Sequence, residues 1–395
     1  MMALTPAQAA SVAKWNSLGA RITDASMIAF FDEWFTNARL LIKADFPIHS
    51  VEELTGRLGL AHKTFTILGS GPSLLGVAQK LPTPHEALFC SPTALGALTR
   101  EGIRPTALIV ADSNPQQYMH LVESRIFRPD ILDVVLPVTA DPAWYGPDSI
   151  LSRHRLFFYL PYMDWMGDVD IGFNHILKNL FPEVHKYISQ AGSVSNLALN
   201  IADMACGEDP SKRVYIGVDC SWVKGGLTKA PLRFDLADHG KVLREAYELM
   251  QKPRSDLAEV TFYDQTIQTD LISLSYAINM FYIIHQNILE RPYSAKRYAL
   301  IPEASKLFRA TFPNLLIPWV LPGDTAQAIN IEGEEAWAYK AMLALVELSN
   351  VLLTRLDAEN VKLTEEYNAR LKASQAVVSG LLESPQGDDR GNVQS

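Results

Sequence analysis

The fold follows from one stretch, Phe65-Thr66-Ile67-Leu68-Gly69-Ser70-Gly71-Pro72-Ser73-Leu74-Leu75. Its apolar start predicts a strand, and its two glycines can adopt the backbone angles of a tight turn. The proline suits the first position of a helix, whose unpaired N–H groups and dipole favour an anion. We therefore expect a strand, a phosphate-binding turn and a helix. The candidate phosphate ligands are Gly69, Ser70, Gly71, Pro72 and Ser73.

The glycine turn departs from the two best-known nucleotide motifs. The dinucleotide fingerprint requires a third glycine where this chain has Leu74, and an acid about 20 residues further on. The next apolar run ends instead in Cys90 and Ser91. No Gly-Lys-Ser/Thr follows the glycines, which excludes a Walker A loop. NAD and FAD are therefore disfavoured, and the turn alone is equally compatible with a plain connection in an α/β sheet.

Composition indicates a soluble globular protein. The chain has 395 residues, 48% of them hydrophobic, which is enough for a large core and two or three structural units. Its formal net charge of −9 argues against nucleic-acid or anionic-membrane partners. The three cysteines, Cys90, Cys206 and Cys220, are too widely spaced for a disulfide framework or a metal knuckle, which favours a reducing cytoplasm.

Neither a secretory leader nor a membrane span is predicted. The N-terminus from Met1 to Pro6 lacks a basic start followed by an apolar core. The most apolar helical stretch, 271–284, is interrupted by polar residues and is too short to cross a bilayer. We interpret it as a buried core helix and expect a cytoplasmic protein.

Six short apolar runs alternate with helical segments between residues 61 and 220, which is typical of βαβ units. We predict an α/β fold with a Rossmann-like, mainly parallel sheet over 61–292. Helical additions over 1–60 and 293–395 flank it, the latter with a disordered tail from residue 385. Apolar spacing over 337–381 offers a seam for homo-oligomers. The runs are 65–68, 87–89, 107–110, 134–138, 156–160 and 214–218.

Three of these runs end in a carboxylate, Asp112, Asp141 or Asp219. Ligands of open α/β sheets sit outside the carboxyl ends of the strands, so the acids are candidates for the same cleft as the glycine turn. Asp112 is favoured because its strand follows the turn by two units. The alternative for each acid is a helix cap or a turn, where Asp is also common.

A second glycine turn, Ala191-Gly192-Ser193-Val194-Ser195, opens another helical segment. Its N–H groups and hydroxyls predict a second anion site facing the first, with Gly192, Ser193 and Ser195 as ligands. The alternative is an ordinary serine N-cap. Further along, His239 lies in a polar loop and is a candidate general base, although a solvated loop residue is the commoner role for such a histidine.

Three ordered stretches resemble the 6-hydroxymethylpterin diphosphokinase MptE-like domain family. They are the Gly-x-Gly-Pro-Ser-Leu turn at 69–74, the segment Gly102-Ile103-Arg104-Pro105 leading to Asp112, and the segment from Gly192 that ends in Gly217-Val218-Asp219. The same domain occurs in motility-associated factors linked to flagellin glycosylation, and the turn is also similar to that of a bacterial sialyltransferase family. The resemblance covers residues 61 to 290 and leaves out both ends of the chain.

The resemblance implies a Rossmann-like sheet whose first glycine turn binds nucleotide phosphates, with Asp112 and Asp219 binding Mg²⁺ at the cleft. In the pterin enzymes the implied reaction is diphosphate transfer from ATP to a hydroxymethyl group. In the glycosyltransferases a nucleotide-activated sugar of the nonulosonic type takes the phosphate site, and a base activates the acceptor hydroxyl. The candidate catalytic residues are Asp112, Asp219 and His239.

Three functions stay open on the sequence alone. The simplest is a diphosphokinase that uses ATP and Mg²⁺. The second is a glycosyltransferase that joins the sugar of a nucleotide-sugar to a small-molecule or glycan acceptor. The third is a non-catalytic assembly module with a vestigial nucleotide cleft. A shared fold does not choose among them, because function resides in the site.

Overall fold

The computed structural model describes part of the chain. It describes residues 30, 32–61, 64–76, 78, 81, 87–126, 128–162, 173–190, 192–206, 212–220, 222–223, 257–262, 265–270, 273 and 276. Several sequence predictions fall outside these residues. They concern the N-terminal start, the loop with His239, most of the apolar stretch 271–284, and the C-terminal helices and tail.

A parallel sheet forms the centre of the described chain. Its strands are β1 (His49–Ser50), β2 (Thr64–Leu68), β3 (Ala87–Cys90), β4 (Ala107–Ile109), β5 (Asp133–Pro137), β6 (Leu156–Pro161), β7 (Tyr187–Ile188) and β8 (Lys212–Ile216). They lie in the order β1-β6-β5-β4-β3-β2-β8, and β7 pairs with the end of β6. Every pairing in this sheet is parallel.

The six apolar runs predicted from the sequence all form strands of this sheet, which confirms the α/β, Rossmann-like fold. Strands β5 and β6 are buried over their whole length, as expected for strands covered on both faces. Strand β1 precedes the predicted domain boundary at residue 61, yet it pairs with β6. The domain boundaries stay predictions.

Helices cover both faces of the sheet. They are α1 (residues 32–43), α2 (Val51–Ala61), α3 (Leu95–Arg100), α4 (Pro115–Ser124), α5 (Phe173–Leu180) and α6 (Val194–Cys206). Alternate strand side chains such as Leu136 and Phe158 pack with α1, α3 and α4 in one core. The intervening residues, such as Phe157 and Tyr159, point to the other face, where α2 and α6 pack. None of the described helices is long and apolar enough to cross a membrane.

A small antiparallel sheet follows the parallel one along the chain. Strand β9 (Trp222–Val223) pairs with β11 (Gln265–Asp270), which pairs with β10 (Leu257–Phe262). The indole N–H of Trp222 donates to Oε1 of Gln268 at 3.2 Å. This bond fixes the large, mostly buried indole against the middle strand of the small sheet.

Helices α2 and α6 approach closely at Gly59. A Cβ atom added to Gly59 would overlap the carbonyl oxygen of Ala205 in α6. A Cβ added to Gly56, three residues earlier on α2, would meet nothing within 4 Å. The helix crossing therefore depends on a glycine at position 59 and is indifferent to the side chain at position 56.

We predict that Gly59→Ala lowers the free energy of unfolding by about 1–3 kcal/mol, because the two helices must separate to admit the methyl group. Gly56→Ala is the matched control. Alanine is the better helix former, so this variant is expected to be neutral or up to about 1 kcal/mol more stable. Urea unfolding followed by circular dichroism measures both. A wild-type midpoint for Gly59→Ala would show that the helices are not in close contact.

A buried carboxylate joins α2 to strands β5 and β6. Asp133, at the start of β5, is 6% exposed and accepts hydrogen bonds from Arg57 of α2 and, at 3.0 Å, from Arg155. The Arg57 guanidinium also lies 5.5 Å from the centre of the Phe157 ring. Both arginines are partly exposed, whereas the carboxylate that they share is not. Both ion pairs require Asp133, so the stability that they contribute depends mainly on this carboxylate.

Asp133→Ala is expected to lower the free energy of unfolding by about 1–3 kcal/mol, because it removes the charged acceptor of two hydrogen bonds. Asp130→Ala serves as the control. Asp130 pairs with Arg128, and both side chains are about half exposed, so the loss of this pair should change stability very little. Urea midpoints measure the difference. Equal effects of the two substitutions would argue that burial of Asp133 does not strengthen its ion pairs.

Candidate functional site

The turns that follow β2 and β8 lie against each other at the carboxyl edge of the sheet. The Gly69 N–H donates to the carbonyl of Ile216 at 2.8 Å, and the Gly71 N–H donates to that of Gly217 at 2.6 Å. Gly217 has a φ of +71°, which glycine adopts without strain. These bonds extend the pairing of β2 and β8 beyond the ends of both strands.

The closeness of this contact explains the three glycines. A Cβ on Gly69 would overlap the carbonyl oxygen of Gly217, and a Cβ on Gly217 would overlap that of Gly69. A Cβ on Gly71 would lie 2.7 Å from the Gly217 oxygen and would overlap Oδ2 of Asp219. Packing against β8 thus accounts for the glycines of the turn without a ligand, as the plain-connection alternative proposed.

Where a helix is predicted after the turn, the residues described directly behind it form a 3₁₀ turn, Pro72–Leu74. Pro72 does occupy its first position. The chain leaves the turn at Leu75, whose ψ of 136° is extended, and Gly76 follows with a φ of +68°. The three residues Pro72–Leu74 are too short to supply a helix dipole, because a macrodipole requires aligned peptide units over a longer helix. The anion site at this turn stays a prediction.

The donors that the turn offers to a phosphate are fewer than the sequence indicates. Both glycine N–H groups already donate to the β8 side, and Pro72 has no N–H. Ser70, half-buried between the two glycines, and Ser73, in the 3₁₀ turn, remain as candidates. The N–H groups of Gly69 and Gly71 are therefore not available to a phosphate over this turn.

Asp219 lies beside the glycine turn. Its side chain is 1% exposed, and Oδ2 packs against Gly71. A negative charge at this position repels a phosphate over Ser70 or Ser73 unless a cation lies between them. Mg²⁺ in nucleotide sites is held by one or two carboxylates together with phosphate oxygens and water. Asp219 fits the part of one such carboxylate.

Asp112 follows a strand that lies three positions across the sheet from the strand before Asp219. It follows β4, and strands β3 and β2 separate β4 from β8. At about 4.8 Å per strand, the ends of β4 and β8 are about 14 Å apart. Nor does any group of three or more His, Cys, Asp or Glu side chains within the described ranges form a metal cluster. This spacing of the strands disfavours a single Mg²⁺ bound by both acids, and the metal site stays a prediction.

Asp112 and Asp141 form local hydrogen bonds of the cap and turn type. Oδ1 of Asp112 accepts from the N–H of Asn114 at 2.9 Å, and the Asn114 side chain in turn caps α4. Asp141 accepts from the N–H of Ala143 at 2.8 Å and caps the next 3₁₀ turn. These bonds match the alternative of a cap or turn. Asp112 is nevertheless exposed, so the turn leaves it accessible to a ligand.

The second glycine turn opens α6. Gly192 has a φ of +82°. Oγ of Ser193 accepts from the N–H of Asn196 at 3.2 Å, which is the geometry of an N-cap. The N-cap alternative therefore accounts for Ser193, while Ser195 is half-buried in the first turn of the helix.

Gln190 connects this second turn to the Asp112 loop. The Ser193 N–H donates to the Gln190 carbonyl at 3.0 Å. The Gln190 side chain donates from Nε2 to the carbonyl of Ala111 at 2.7 Å and to Oη of Tyr159 at 2.9 Å. The turn of 192–195 and the loop that holds Asp112 thus lie side by side.

Tyr159 anchors Gln190 to the sheet. It is fully buried in β6, and its hydroxyl donates to the carbonyl of Val110 at 3.2 Å. Burial raises the pKa of Tyr159 well above its usual value. The hydrogen bond from Gln190 lowers it, and the charge of Asp112 raises it. The hydroxyl therefore stays protonated and keeps its donor role at physiological pH.

Gln190 and Tyr159 are not among the residues predicted from the sequence. Two signals pointed to them: a buried tyrosine in an apolar strand requires a partner for its hydroxyl, and a glutamine directly precedes the second glycine turn. The pairing itself is not visible in the sequence, because 31 positions separate the two residues.

The strand order reverses between β2 and β8. From β2 the chain adds β3, β4, β5 and β6 on one side, and then it returns to add β8 on the other. Ligands of open α/β sheets bind at such a switch point, outside the carboxyl ends of the strands. The structure brings the Gly69–Ser73 turn and Asp219 together here. Asp112 and the turn of 192–195 form a second group near β4.

We predict that Gly69→Ala lowers the free energy of unfolding by about 1–3 kcal/mol. The two atoms nearest to the new Cβ belong to the Gly217 backbone and cannot rotate away. Ser70→Ala, one residue further on, is the control and should remain within about 0.5 kcal/mol of wild type. Urea unfolding measures both. The close contact would be refuted by a Gly69→Ala variant as stable as its Ser70→Ala control.

Comparisons with known proteins leave the family of this chain unassigned. No protein-family model matches the chain, and no curated protein matches its sequence. Among solved structures, it is similar to the MAf glycosyltransferase from Magnetospirillum magneticum AMB-1, with 12% identity and a TM-score of 0.37 over 95% of this chain and 70% of that one. A similarity of this size does not establish a shared activity. The MptE-like resemblance stays a prediction.

Proposed function

We propose that the protein is a transferase whose nucleotide substrate lies over the Gly69–Ser73 turn. One observation carries the proposal: this turn meets the buried carboxylate of Asp219 on the two strands that flank the switch point of the sheet. Serine donors beside an acid suit a phosphate-bearing ligand that arrives with a cation.

Each group of residues has a distinct part in this proposal. Ser70 and Ser73 bind phosphate oxygens, and the other turn residues, Gly69, Gly71 and Pro72, shape the floor below them. Asp219 would hold Mg²⁺, whose charge would offset that of the phosphates. On the other side of the cleft, the acceptor binds between Asp112 and the second turn. The second turn contributes Gly192, Ser193 and Ser195. His239 is the proposed base for the acceptor hydroxyl.

Diphosphate transfer from ATP to a hydroxymethyl acceptor is the simplest reaction for these residues. The acceptor oxygen forms a bond to the β-phosphorus of ATP while the bond from that phosphorus to the oxygen of the α-phosphate breaks, so AMP leaves. The hydroxyl proton passes to the base. Such a reaction depends on positioning and on charge neutralisation more than on a covalent intermediate.

The test is a thermal-shift titration of the purified chain with ATP, CMP, UDP and GTP, each with and without Mg²⁺. A ligand present at 100 times its Kd adds about 2.7 kcal/mol to the stability of the native state. A shift confined to ATP with Mg²⁺ supports diphosphate transfer. A metal-independent shift with CMP or UDP indicates a nucleotide-sugar transferase instead. The absence of any shift contradicts the proposal and favours an assembly role.

We predict that Asp219→Asn weakens Mg²⁺-dependent nucleotide binding at least about tenfold, or about 1.4 kcal/mol. The amide keeps the size of the side chain but removes the charge that would face the cation. Asp141→Asn, at another strand end, is the control and should bind as wild type does. Isothermal titration calorimetry measures the affinities. Unchanged binding by Asp219→Asn would remove Asp219 from the site.

A further inference from the structure

Gln190 is placed where three separate parts of the chain meet. Its side-chain amide donates to Ala111, next to Asp112, and to Tyr159 in β6. Its backbone carbonyl accepts from Ser193, at the start of α6. One residue therefore connects the loop after β4, the centre of the sheet and the second glycine turn.

Both donors of the Gln190 amide are used by acceptors that are fixed in position. Ala111 directly follows Val110, whose N–H donates to Val135 of β5 at 2.9 Å. The Tyr159 hydroxyl is held from its other side by the Val110 carbonyl. The amide thus spans two points of a rigid sheet, so its own orientation is determined.

The Asp112 carboxylate lies close enough to Tyr159 to interact with it electrostatically. Its charge contributes to the raised pKa of Tyr159. Its Oδ1 accepts a hydrogen bond from the N–H of Asn114. Asn114 is the N-cap of α4. A shift of Ala111 would therefore move Asp112 as well, because the two residues are adjacent in the chain.

We propose that Gln190 is a positioning residue, which fixes the Asp112 loop and the turn of 192–195 at one spacing and so sets the acceptor side of the cleft. This inference rests on the proposed function for its ligand but makes a separate claim about the chain. When the Gln190 amide is lost, both the second turn and the Asp112 loop are released from this spacing.

The Gln190 amide donates to both acceptors at neutral pH, and the two test substitutions remove these donors. Alanine at position 190 donates no hydrogen bond. An ionised glutamate has only acceptor oxygens, so it cannot bond the carbonyl of Ala111. A protonated glutamic acid recovers one donor. The effect of Gln190→Glu should therefore diminish as the pH falls through the titration of the new carboxyl group.

Amide hydrogen exchange tests the coupling without any ligand. In Gln190→Ala, the amides of Asn114 and Ser193 are expected to exchange about three- to tenfold faster than in wild type. In Gln190→Glu, the exchange rates of these two amides are compared with those of wild type at the same pH. The ratio of the two rates should fall toward one as the pH is lowered. This pH dependence separates a lost donor from a general loss of packing.

Asn200→Ala provides the matched control. Asn200 in α6 donates to the carbonyl of Ser189 at 2.8 Å, so this variant also loses a side-chain bond to the same segment. It leaves the link to Ala111 intact, and the exchange of Asn114 should not change. Wild-type exchange at Asn114 in Gln190→Ala, or equal acceleration in Asn200→Ala, would overturn the inference.

Nucleotide binding then separates this inference from the proposed function. A wild-type chain that binds no nucleotide refutes the proposed function, while the exchange data still decide whether Gln190 couples the two loops. With binding present, Gln190→Ala should leave the Kd of the preferred nucleotide within about twofold, because Ser70 and Ser73 are untouched. The KM for the acceptor should rise instead. A change in the Kd of the nucleotide with no change in the KM for the acceptor would contradict the inference, because it would place Gln190 on the nucleotide side of the cleft.

Discussion

Two backbone turns meet at the carboxyl ends of β2 and β8 with no side chain between them. Gly69, Gly71 and Gly217 allow carbonyl and N–H groups to approach to hydrogen-bond distance beyond the ends of the strands. A methyl group at any of these positions would separate the turns. The same contact places the carboxylate of Asp219 against Gly71, so the chemistry of the candidate site is a consequence of this backbone packing.

The two acids at this edge have different environments, and this difference makes the cleft asymmetric. Asp219 is almost fully buried, where charges interact more strongly because water is excluded. Asp112 is exposed and is stabilised by the N–H of Asn114. A cation beside the first turn would therefore interact with an ionised Asp219 more strongly than a cation beside the second turn would interact with Asp112.

Local patterns predicted the parallel sheet well, because buried strands appear as apolar runs between turn residues. The first glycine turn was also predicted, but the reason why it needs glycines was not. Its partner, Gly217, lies in the turn after a strand that is distant in sequence, and no local rule connects it to Gly69. The helix beyond Pro72 was expected from its first residue alone, whereas Leu75 and Gly76 end it. The role of Gln190 was not predicted, because its hydrogen bonds with Ala111 and Tyr159 join residues that are distant in sequence.

The position of β8 also determines when the site is completed during synthesis. Strands β2 and β8 are separated by about 150 residues, which a ribosome requires about 8 to 30 s to add. Until β8 arrives, β2 is an edge strand whose backbone groups on that side are unpaired, with Phe65 and Ile67 along it. The strand that ends in the glycine turn is thus open to association with other chains until β8 pairs with it, and the strand that completes the site also protects it.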